Sequence, residues 1–392
     1  MRTSAEEVGW VVHPGALTVD ALDAFVQRLR EWTGTGRVCL VADRNHASVP
    51  TIADLVDTLV ERLGAQLHAA SDDSEELVTS IADAGPWDIV IGVGGGVALD
   101  VAKLVSLDAD AMRRVTSPGR SSRVVLPDVP RSTRVALAPT TFGTGSELSL
   151  SACVTTRGRK RLVSGAVLGA DVVLARSDLL ASLDDEQMTE GLVEVLLRLT
   201  TVYTAGEAAP FADVVTRASL RQLVELAPRL RNGGRAPADL RAIASISAFS
   251  HTGWLGRDRP PMVTLPWIIT TEASIAWSCT KAVAASLVLP GYWSVMRDGD
   301  GRLGSYRRLC ELWAEAMPRA TSPAEALDQI IDGQLRRPSD DELTRLGDDA
   351  LAARITARWG AGLPFMGEAG RDDVREVIDA ALAQGRTVAL TV

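Results

Sequence analysis

Residues 87–103 read WDIVIGVGGGVALDVAK: an apolar run, three glycines, and then apolar residues at helical spacing. The apolar run is typical of a buried strand, and the spacing after the glycines is typical of a helix. Glycines at such a turn let the backbone approach a ligand closely, and the start of the helix offers unpaired N–H groups to an anion. The segment therefore predicts a strand, a glycine turn and a helix that together cradle a pyrophosphate.

Strands and helices alternate on both sides of this segment. Residues 38–41 and 134–138 predict further buried strands, and the segments between them carry apolar residues at helical spacing. From about residue 184 the chain changes to long amphipathic segments rich in alanine and leucine. We therefore predict a Rossmann-like, doubly wound α/β dinucleotide-binding domain over residues 1–180 and an all-helical substrate domain over residues 181–392.

Composition and charge limit the function classes. The 392 residues include 50 acidic and 41 basic ones, and the net charge of −9 disfavours broad binding to nucleic acid or to a membrane surface. No apolar run reaches the roughly 18 residues that a membrane helix needs. The four cysteines form no C-x-x-C pair, and the sequence shows no secretory signal pattern. We therefore expect a cytoplasmic location.

A second motif strengthens the prediction of a cofactor site. Residues 139–147 read PTTFGTGSE and follow the glycine turn by about 40 residues. Together with the pattern GGGxxxDxxK at residues 94–103, this motif resembles the signatures of the iron-containing alcohol dehydrogenase family, which belongs to the dehydroquinate synthase-like superfamily. The order of an α/β half and a helical half also agrees. The resemblance implies the dehydroquinate synthase-like fold and an alcohol dehydrogenase activity.

The resemblance also implies a set of cofactor contacts. Glycines would line the pyrophosphate, threonines would approach the phosphates and the nicotinamide, and a lysine would contact a ribose. An aspartate after the early strand would bind the adenosine ribose and repel a 2′-phosphate, which favours NAD over NADP; capping a turn is its alternative role. Matched position by position, these residues are Asp43, Gly94, Gly95, Gly96, Asp100, Thr140, Thr141, Thr144 and Lys160.

The resemblance fails at the metal ligands. Family members that use iron or zinc hold it with an aspartate, a histidine four residues later and two further histidines. Here Glu194 stands at the aspartate, Arg198 at the first histidine and Lys281 at the last one. Two cations beside a carboxylate repel a divalent ion, so we expect no bound metal.

Two questions about this site stay open at the level of sequence. The third histidine position falls on Trp267 by a gapless count, but on Asp258 if the segment before His251 is matched instead. A rebuilt metal site at Glu194 with His251 or Asp258 is therefore the alternative to a metal-free one. His251 is also the one histidine within the predicted helical domain, where it serves either as a proton shuttle or as a structural residue.

The cofactor motifs, together with Glu194, Arg198 and Lys281, predict a metal-independent, NAD-dependent oxidoreductase. An ion in related enzymes polarises the oxygen of the alcohol or carbonyl during hydride transfer. Lys281 or Arg198 would supply that charge here, with Glu194 as their partner, and two cations would also clamp a carboxylate on a small-molecule or peptide substrate. We therefore expect an alcohol or carbonyl close to a carboxylate as the reacting group.

The pathway and the alternatives rest on analogy. Oxidation of a β-hydroxy acid gives a β-keto acid that loses carbon dioxide, as in natural-product dehydrogenases of daptide-type peptide pathways; maleylacetate reduction is a second option. An inactive protein that binds a partner enzyme is one alternative. A metal-dependent sugar-phosphate cyclase is another, although its catalytic lysine falls on Leu197. The resemblance also predicts a homodimer.

Overall fold

The protein divides into two compact units. The computed structural model describes residues 16–17, 22–119, 121–128, 131–256, 259, 264–344, 346–360 and 366–389. The first unit comprises residues 1–183 and 236–252, and the second comprises residues 184–235 and 253–392.

The first unit contains nine described strands. In chain order they are β1 (Ala16–Leu17), β2 (Val38–Asp43), β3 (Gln66–Ala70), β4 (Ile89–Gly94), β5 (Arg123–Val125), β6 (Arg134–Pro139), β7 (Ser151–Thr156), β8 (Arg159–Ser164) and β9 (Val172–Leu174). Six of them form a parallel sheet in the order β1-β9-β6-β4-β2-β3. The other three form a smaller sheet in the order β5-β8-β7.

The helices alternate with these strands and then continue alone. In chain order they are α1 (Leu22–Thr33), α2 (Pro50–Leu63), α3 (Glu75–Asp83), α4 (Gly96–Val105), α5 (Ala109–Thr116), α6 (Ser177–Leu180), α7 (Asp185–Thr204), α8 (Pro210–Arg231), α9 (Pro237–Ser250), α10 (Leu265–Ala276), α11 (Lys281–Asp298), α12 (Tyr306–Ala316), α13 (Pro323–Ile331), α14 (Asp340–Thr344), α15 (Asp348–Trp359) and α16 (Arg371–Ala389). None of the helices in the described ranges is long and apolar enough to span a membrane.

The parallel sheet is buried on both faces. Alternate residues of a strand point to opposite faces, so Leu40 and Ile91 join the core on one face and Val41 and Val90 join the core on the other. Helices α1, α2 and α6 contribute to the first core and α3, α4 and α5 to the second. Strands covered on both sides read as continuous apolar runs, which is why the sequence predicted them. The predicted fold class, an α/β half followed by a helical half, is confirmed.

The second unit is built around α7 and α11. Helix α7 begins at Asp185 because Asp184 and Gln187 form a reciprocal capping box. Helix α11 is buried along most of its length and packs against α7, α10 and α16. Gly291 permits the close approach of α16, because a Cβ there would lie 2.6 Å from the backbone nitrogen of Ala381.

Helix α9 departs from the sequence-based division of the chain. The sequence assigns residues 181–392 to one helical domain, whereas α9 belongs to the α/β unit, where it packs against α6. Its Ser247 hydroxyl accepts a hydrogen bond from the backbone N–H of Gly143 at 2.7 Å. Helical periodicity shows that a face is buried but not which element covers it, so the pattern could not reveal this assignment.

Candidate active site

The predicted cofactor residues lie at the carboxyl ends of neighbouring strands. Gly94 at the end of β4 pairs in register with Pro139 at the end of β6, and Val93 pairs with Ala42, one residue before Asp43. The chain leaves β2 first toward β3 and then crosses back to β4 on its other side. Such a reversal of strand order opens a crevice at the carboxyl ends, which is where α/β sheets bind ligands.

The three glycines leave space that side chains would fill. Gly94 has a φ of +151°, and a Cβ there would lie 2.5 Å from Cγ of Asp43. A Cβ on Gly96 would lie 2.9 Å from Cγ2 of Thr144. Gly95 is the N-cap of α4, so the amide groups at the start of this helix face the turn. This bare backbone at a helix N-terminus fits a pyrophosphate.

Asp43 holds the turn, which is the alternative role that the sequence left open. Its Oδ2 accepts a hydrogen bond from the Gly95 N–H at 2.8 Å, so the carboxylate holds the glycine turn. Its Oδ1 accepts no hydrogen bond within the described part of the chain, which leaves this oxygen for a ligand. Burial raises the pKa of Asp43, while the Gly95 hydrogen bond and the charge of His46 oppose the increase.

The threonines of the second motif border the same turn. Thr140 is buried, and its N–H donates to the Gly94 carbonyl at 3.0 Å. A Cβ added to Gly95 would lie 3.3 Å from Oγ1 of Thr141, and one added to Gly96 would meet the side chain of Thr144. The structure therefore brings Thr140, Thr141 and Thr144 together with the glycines, and their predicted contacts with the cofactor stay a prediction.

Asp100 lies on α4 and forms hydrogen bonds within the protein. Its Oδ1 accepts a hydrogen bond from the Ser146 hydroxyl at 2.5 Å, and its Oδ2 accepts one from the Cys153 N–H at 2.7 Å. Lys103, which is fully buried, lies 3.9 Å from Asp100 and donates to the carbonyls of Ser149 and Ser151. Asp100 was predicted to contact the cofactor; in this geometry it positions the loop that carries the threonines.

The ionisable side chains near the hydrogen bond between Ser146 and Asp100 have shifted pKa values. Burial raises the pKa of Asp100, and the charge of Lys103 opposes the shift. Burial lowers the pKa of Lys103, against the charges of Asp100 and Glu147. Glu147 ends the second motif, and burial raises its pKa to about 7.

The raised pKa of Glu147 predicts that acid stabilises the folded state. The folded protein binds a proton on Glu147 below pH about 7, whereas an unfolded chain releases it near 4.5. The stabilising contribution is therefore complete below the unfolded pKa and is lost as the pH rises through the folded pKa. We expect Glu147→Gln to gain on the order of 3 kcal/mol over the parent between about pH 5 and pH 8 in urea unfolding. Parallel pH profiles of the two proteins would contradict the shift.

Lys160 has a protein partner that the sequence did not indicate. Lys160 forms an ion pair with Asp73, whose carboxylate also accepts the hydroxyl of Thr155 at 2.8 Å. Burial opposes the charged form of Lys160, but the neighbouring Cys153 and the Asp73 carboxylate outweigh burial and raise the pKa of Lys160. The structure thus places Lys160 on Asp73, and its predicted contact with a ribose stays a prediction.

His251 lies in the first unit and not in the helical one. Its Nε2 lies 3.1 Å from the Gly143 carbonyl, and a Cβ on Gly145 would lie 2.2 Å from its ring. Gly145 has a φ of +53°, so only glycine combines this backbone with room for the imidazole. His251 therefore packs against the loop between Gly143 and Gly145, which agrees with the structural alternative.

The helical unit brings together the residues at the family's ligand positions. Glu194 and Arg198 are one turn apart on α7, and Lys281 is the first residue of α11. The Thr280 hydroxyl caps α11 by accepting the Val283 N–H at 3.3 Å, which fixes the start of the helix. Nζ of Lys281 lies 2.5 Å from Oε2 of Glu194, with side-chain exposures of 26% and 16%. Burial lowers the pKa of the Arg198 guanidinium.

The third histidine position has two candidates, and the one within the described residues, Trp267, is not a metal donor. Trp267 packs edge-to-face on Trp359 with ring centroids 5.7 Å apart, and the Trp359 indole donates to Glu272 at 2.9 Å. Asp258, the other candidate, lies outside the described residues. No cluster of three or more histidine, cysteine, aspartate or glutamate side chains suited to a metal occurs in the part of the chain that the structure describes. A carboxylate, two cations and an indole do not fit a divalent ion.

Comparison with known proteins assigns the first part of the chain. Residues 13–177 match the model of the iron-containing alcohol dehydrogenase family. This match covers less than half of the chain. The matched segment contains the glycine turn, the threonine motif and Lys160, so the comparison supports the resemblance over this part of the chain.

Curated relatives align over part of their length. Long-chain-alcohol dehydrogenase 1 of Geobacillus thermodenitrificans is 28% identical over 228 residues, which are 55% of this chain and 53% of the relative. Hydroxyacid-oxoacid transhydrogenase of Bos taurus is 30% identical over 29% of this chain and 26% of its own length. Phosphonoacetaldehyde reductase of Streptomyces viridochromogenes is 28% identical over 28% of this chain and 29% of its own length. The chain thus matches about half or less of each of these relatives.

Solved structures extend the likeness of fold to nearly the whole chain. NADH-dependent butanol dehydrogenase A from Thermotoga maritima has a TM-score of 0.77, covers 95% of this chain and 98% of its own, and is 14% identical. Maleylacetate reductase from Agrobacterium tumefaciens has a TM-score of 0.67, covers 95% and 97%, and is 15% identical. The likeness to the iron-containing alcohol dehydrogenase fold therefore extends to the helical unit.

Proposed function

We propose that this chain is an NAD-dependent oxidoreductase that uses a lysine where related enzymes hold a metal ion. The ion pair of Lys281 with Glu194 carries the proposal, because both residues stand at ligand positions of the family and form a contact of 2.5 Å. The Asp43 carboxylate beside the glycine turn favours NAD over NADP, since a 2′-phosphate would meet a negative charge. The named dehydrogenases and reductases among the relatives support an oxidoreductase.

The pair supports a proton relay at the substrate oxygen. When bound, NAD would supply the acceptor for the hydride that leaves the carbinol carbon. The ammonium of Lys281 would pass a proton to Glu194. The resulting amine would take the proton of the substrate hydroxyl. Nζ would then stabilise the developing carbonyl oxygen by a charge-assisted hydrogen bond. The hydroxyl thus loses its proton to Lys281, and the released proton rests on Glu194.

Arg198 supports a substrate that carries a carboxylate. It lies one helical turn from Glu194, the residue that pairs with Lys281. The guanidinium fork binds a carboxylate with two parallel hydrogen bonds. A β-hydroxy acid would then give a β-keto acid that loses carbon dioxide. By analogy with daptide-type dehydrogenases, we propose the C-terminal residue of a peptide as one substrate of this class.

The test is a dehydrogenase assay on protein freed of metal. We expect NADH to form from NAD and a β-hydroxy acid after dialysis against a chelator, with less than about 0.1 iron or zinc per chain by elemental analysis. The matching alcohol without the carboxylate should react about 100-fold less efficiently, because the Arg198 contact is absent. Stoichiometric metal whose removal abolishes turnover would contradict the lysine-based site.

A further inference from the structure

A cavity of about 110 Å³ lies in the first unit, at the point where the end of α5 meets the β7–β8 hairpin. It is separate from the glycine turn in sequence and in its lining. At about 30 Å³ per water molecule, it holds three or four waters or one small polyatomic group, but not a nucleotide. Its polar lining consists of three guanidinium groups and four hydroxyls, from Arg157, Arg159, Arg161, Thr116, Ser117, Ser121 and Thr156.

The hairpin concentrates the positive charge on one side of β8. Side chains alternate along a strand, so Arg159 and Arg161 point away from the face that carries Lys160. Arg157 and Gly158 form the two-residue turn with φ values of +50° and +70°, which places Arg157 at the mouth of the same cavity. Because Lys160 pairs with Asp73 on the opposite face, the cavity is distinct from the predicted ribose contact.

Arg161 is held rigidly and retains unused donors. Its side chain belongs to a residue that is 8% exposed, and its Nη1 donates to the carbonyls of Val115 and Ser117 at the end of α5. Its Nε and Nη2 make no hydrogen bond to the described residues. Nη2 lies beside Gly119, where an added Cβ would be 3.4 Å away, so the glycine keeps the space at this nitrogen open.

Arginine side chains are concentrated around the cavity. Within the described ranges, no ion pair joins Arg157 or Arg161 to an aspartate or glutamate. Burial, together with the like charges of Arg159 and Arg157, lowers the pKa of Arg161, while Glu75 gives a smaller opposing effect. An anion in the cavity would relieve this repulsion and accept the free N–H groups.

We propose that this cavity binds the phosphate group of a small ligand, at a site separate from the dinucleotide cradle. A phosphate group accepts several charge-assisted hydrogen bonds and matches the guanidinium fork. The surrounding hydroxyls add neutral donors that a phosphate oxygen can use. Free phosphate and a phosphate monoester share this chemistry, and both are used as probes.

The experiment measures phosphate binding with the cradle already occupied. Inorganic phosphate and glycerol 3-phosphate are titrated calorimetrically into the full chain saturated with NAD, with acetate at equal ionic strength as the singly charged control. We expect one site per chain, and a double substitution Arg157→Gln with Arg159→Gln should weaken it about ten-fold or more. Arg161 is retained because it anchors α5. Arg28→Gln, an α1 arginine with 56% side-chain exposure, should leave the affinity unchanged.

Each outcome bears on the site itself. Tighter binding of the ester than of free phosphate would identify a phosphorylated metabolite as the source, and equal binding would identify inorganic phosphate; both support the proposal. Absence of saturable binding, equal affinity in the double variant, or loss of phosphate binding when NAD is added would overturn it. A protein that binds phosphate but not NAD would contradict the proposed oxidoreductase and leave this site supported.

Discussion

Gly94→Ala is expected to abolish detectable NAD binding, with an affinity loss of at least about 100-fold. The φ of +151° at Gly94 is unfavourable for alanine, and the new Cβ would lie 2.5 Å from Cγ and Oδ2 of Asp43. Relief of that overlap requires Asp43 to move, which breaks its hydrogen bond to Gly95. Both the turn and the carboxylate that we propose for the ribose contact are then displaced. Titration with NAD, followed by tryptophan fluorescence, measures the effect.

Gly64→Ala is the matched control for backbone strain. Gly64 ends α2 with a φ of +62°, and nothing lies within 4 Å of an added Cβ. This substitution should lower stability by about 1 kcal/mol and leave NAD affinity unchanged. If Gly94→Ala prevents folding, Gly96→Ala provides a milder test, because its Cβ would meet only the Thr144 side chain at 2.9 Å. Normal NAD affinity in both folded variants would exclude the glycine turn as the cofactor site.

Lys281→Met is expected to lower kcat by about three orders of magnitude while NAD affinity stays within about two-fold of the parent. Methionine has a similar length but can neither accept the hydroxyl proton nor pass one to Glu194. Lys281→Arg should recover part of the substrate binding but little of the turnover, because a guanidinium keeps its proton. The measurement is NADH formation from the hydroxy acid that the assay identifies, with kcat and KM determined separately.

A double variant separates chemistry from structure. Lys281→Met leaves Glu194 without its partner, so some loss of stability is expected. Adding Glu194→Gln should restore thermal stability without restoring kcat, and the double variant should be no slower than the slower single variant, because the two groups act as a unit. Recovery of turnover together with stability would show that the ion pair is only structural.

Most of the fold could be predicted from the amphipathic and apolar patterns of the sequence. Central strands such as β4 could be predicted because burial on both faces requires a continuous apolar run. The glycine turn could be predicted because close approach of backbone to an anion requires residues without side chains. The ion pair between Glu194 and Lys281 was only partly predictable: family positions indicated both residues, but their contact depends on how α7 packs against α11.

Several features had no local signal. Asp73 is unremarkable in sequence, and it becomes the partner of Lys160 because the segment after β3 bridges to β7 at Ser74 and Thr155. Ser247 and His251 lie about 100 residues after the loop that they hold, so their role depends on the return of α9 to the first unit. Arg159 and Arg161 alternate along β8, so the sequence indicates that they share a face. The residues that line the opposite side of the cavity come from the end of α5, which the pattern of β8 does not reveal.

The sequence by itself determined the fold class and the position of the glycine turn. These properties depend on residue types and on spacing along one segment, which are local. Only the tertiary structure decided that Asp100 supports a loop, that His251 packs against it, and that Lys281 meets Glu194. Such contacts join residues that are distant in the chain, and their distances follow from how complete elements pack.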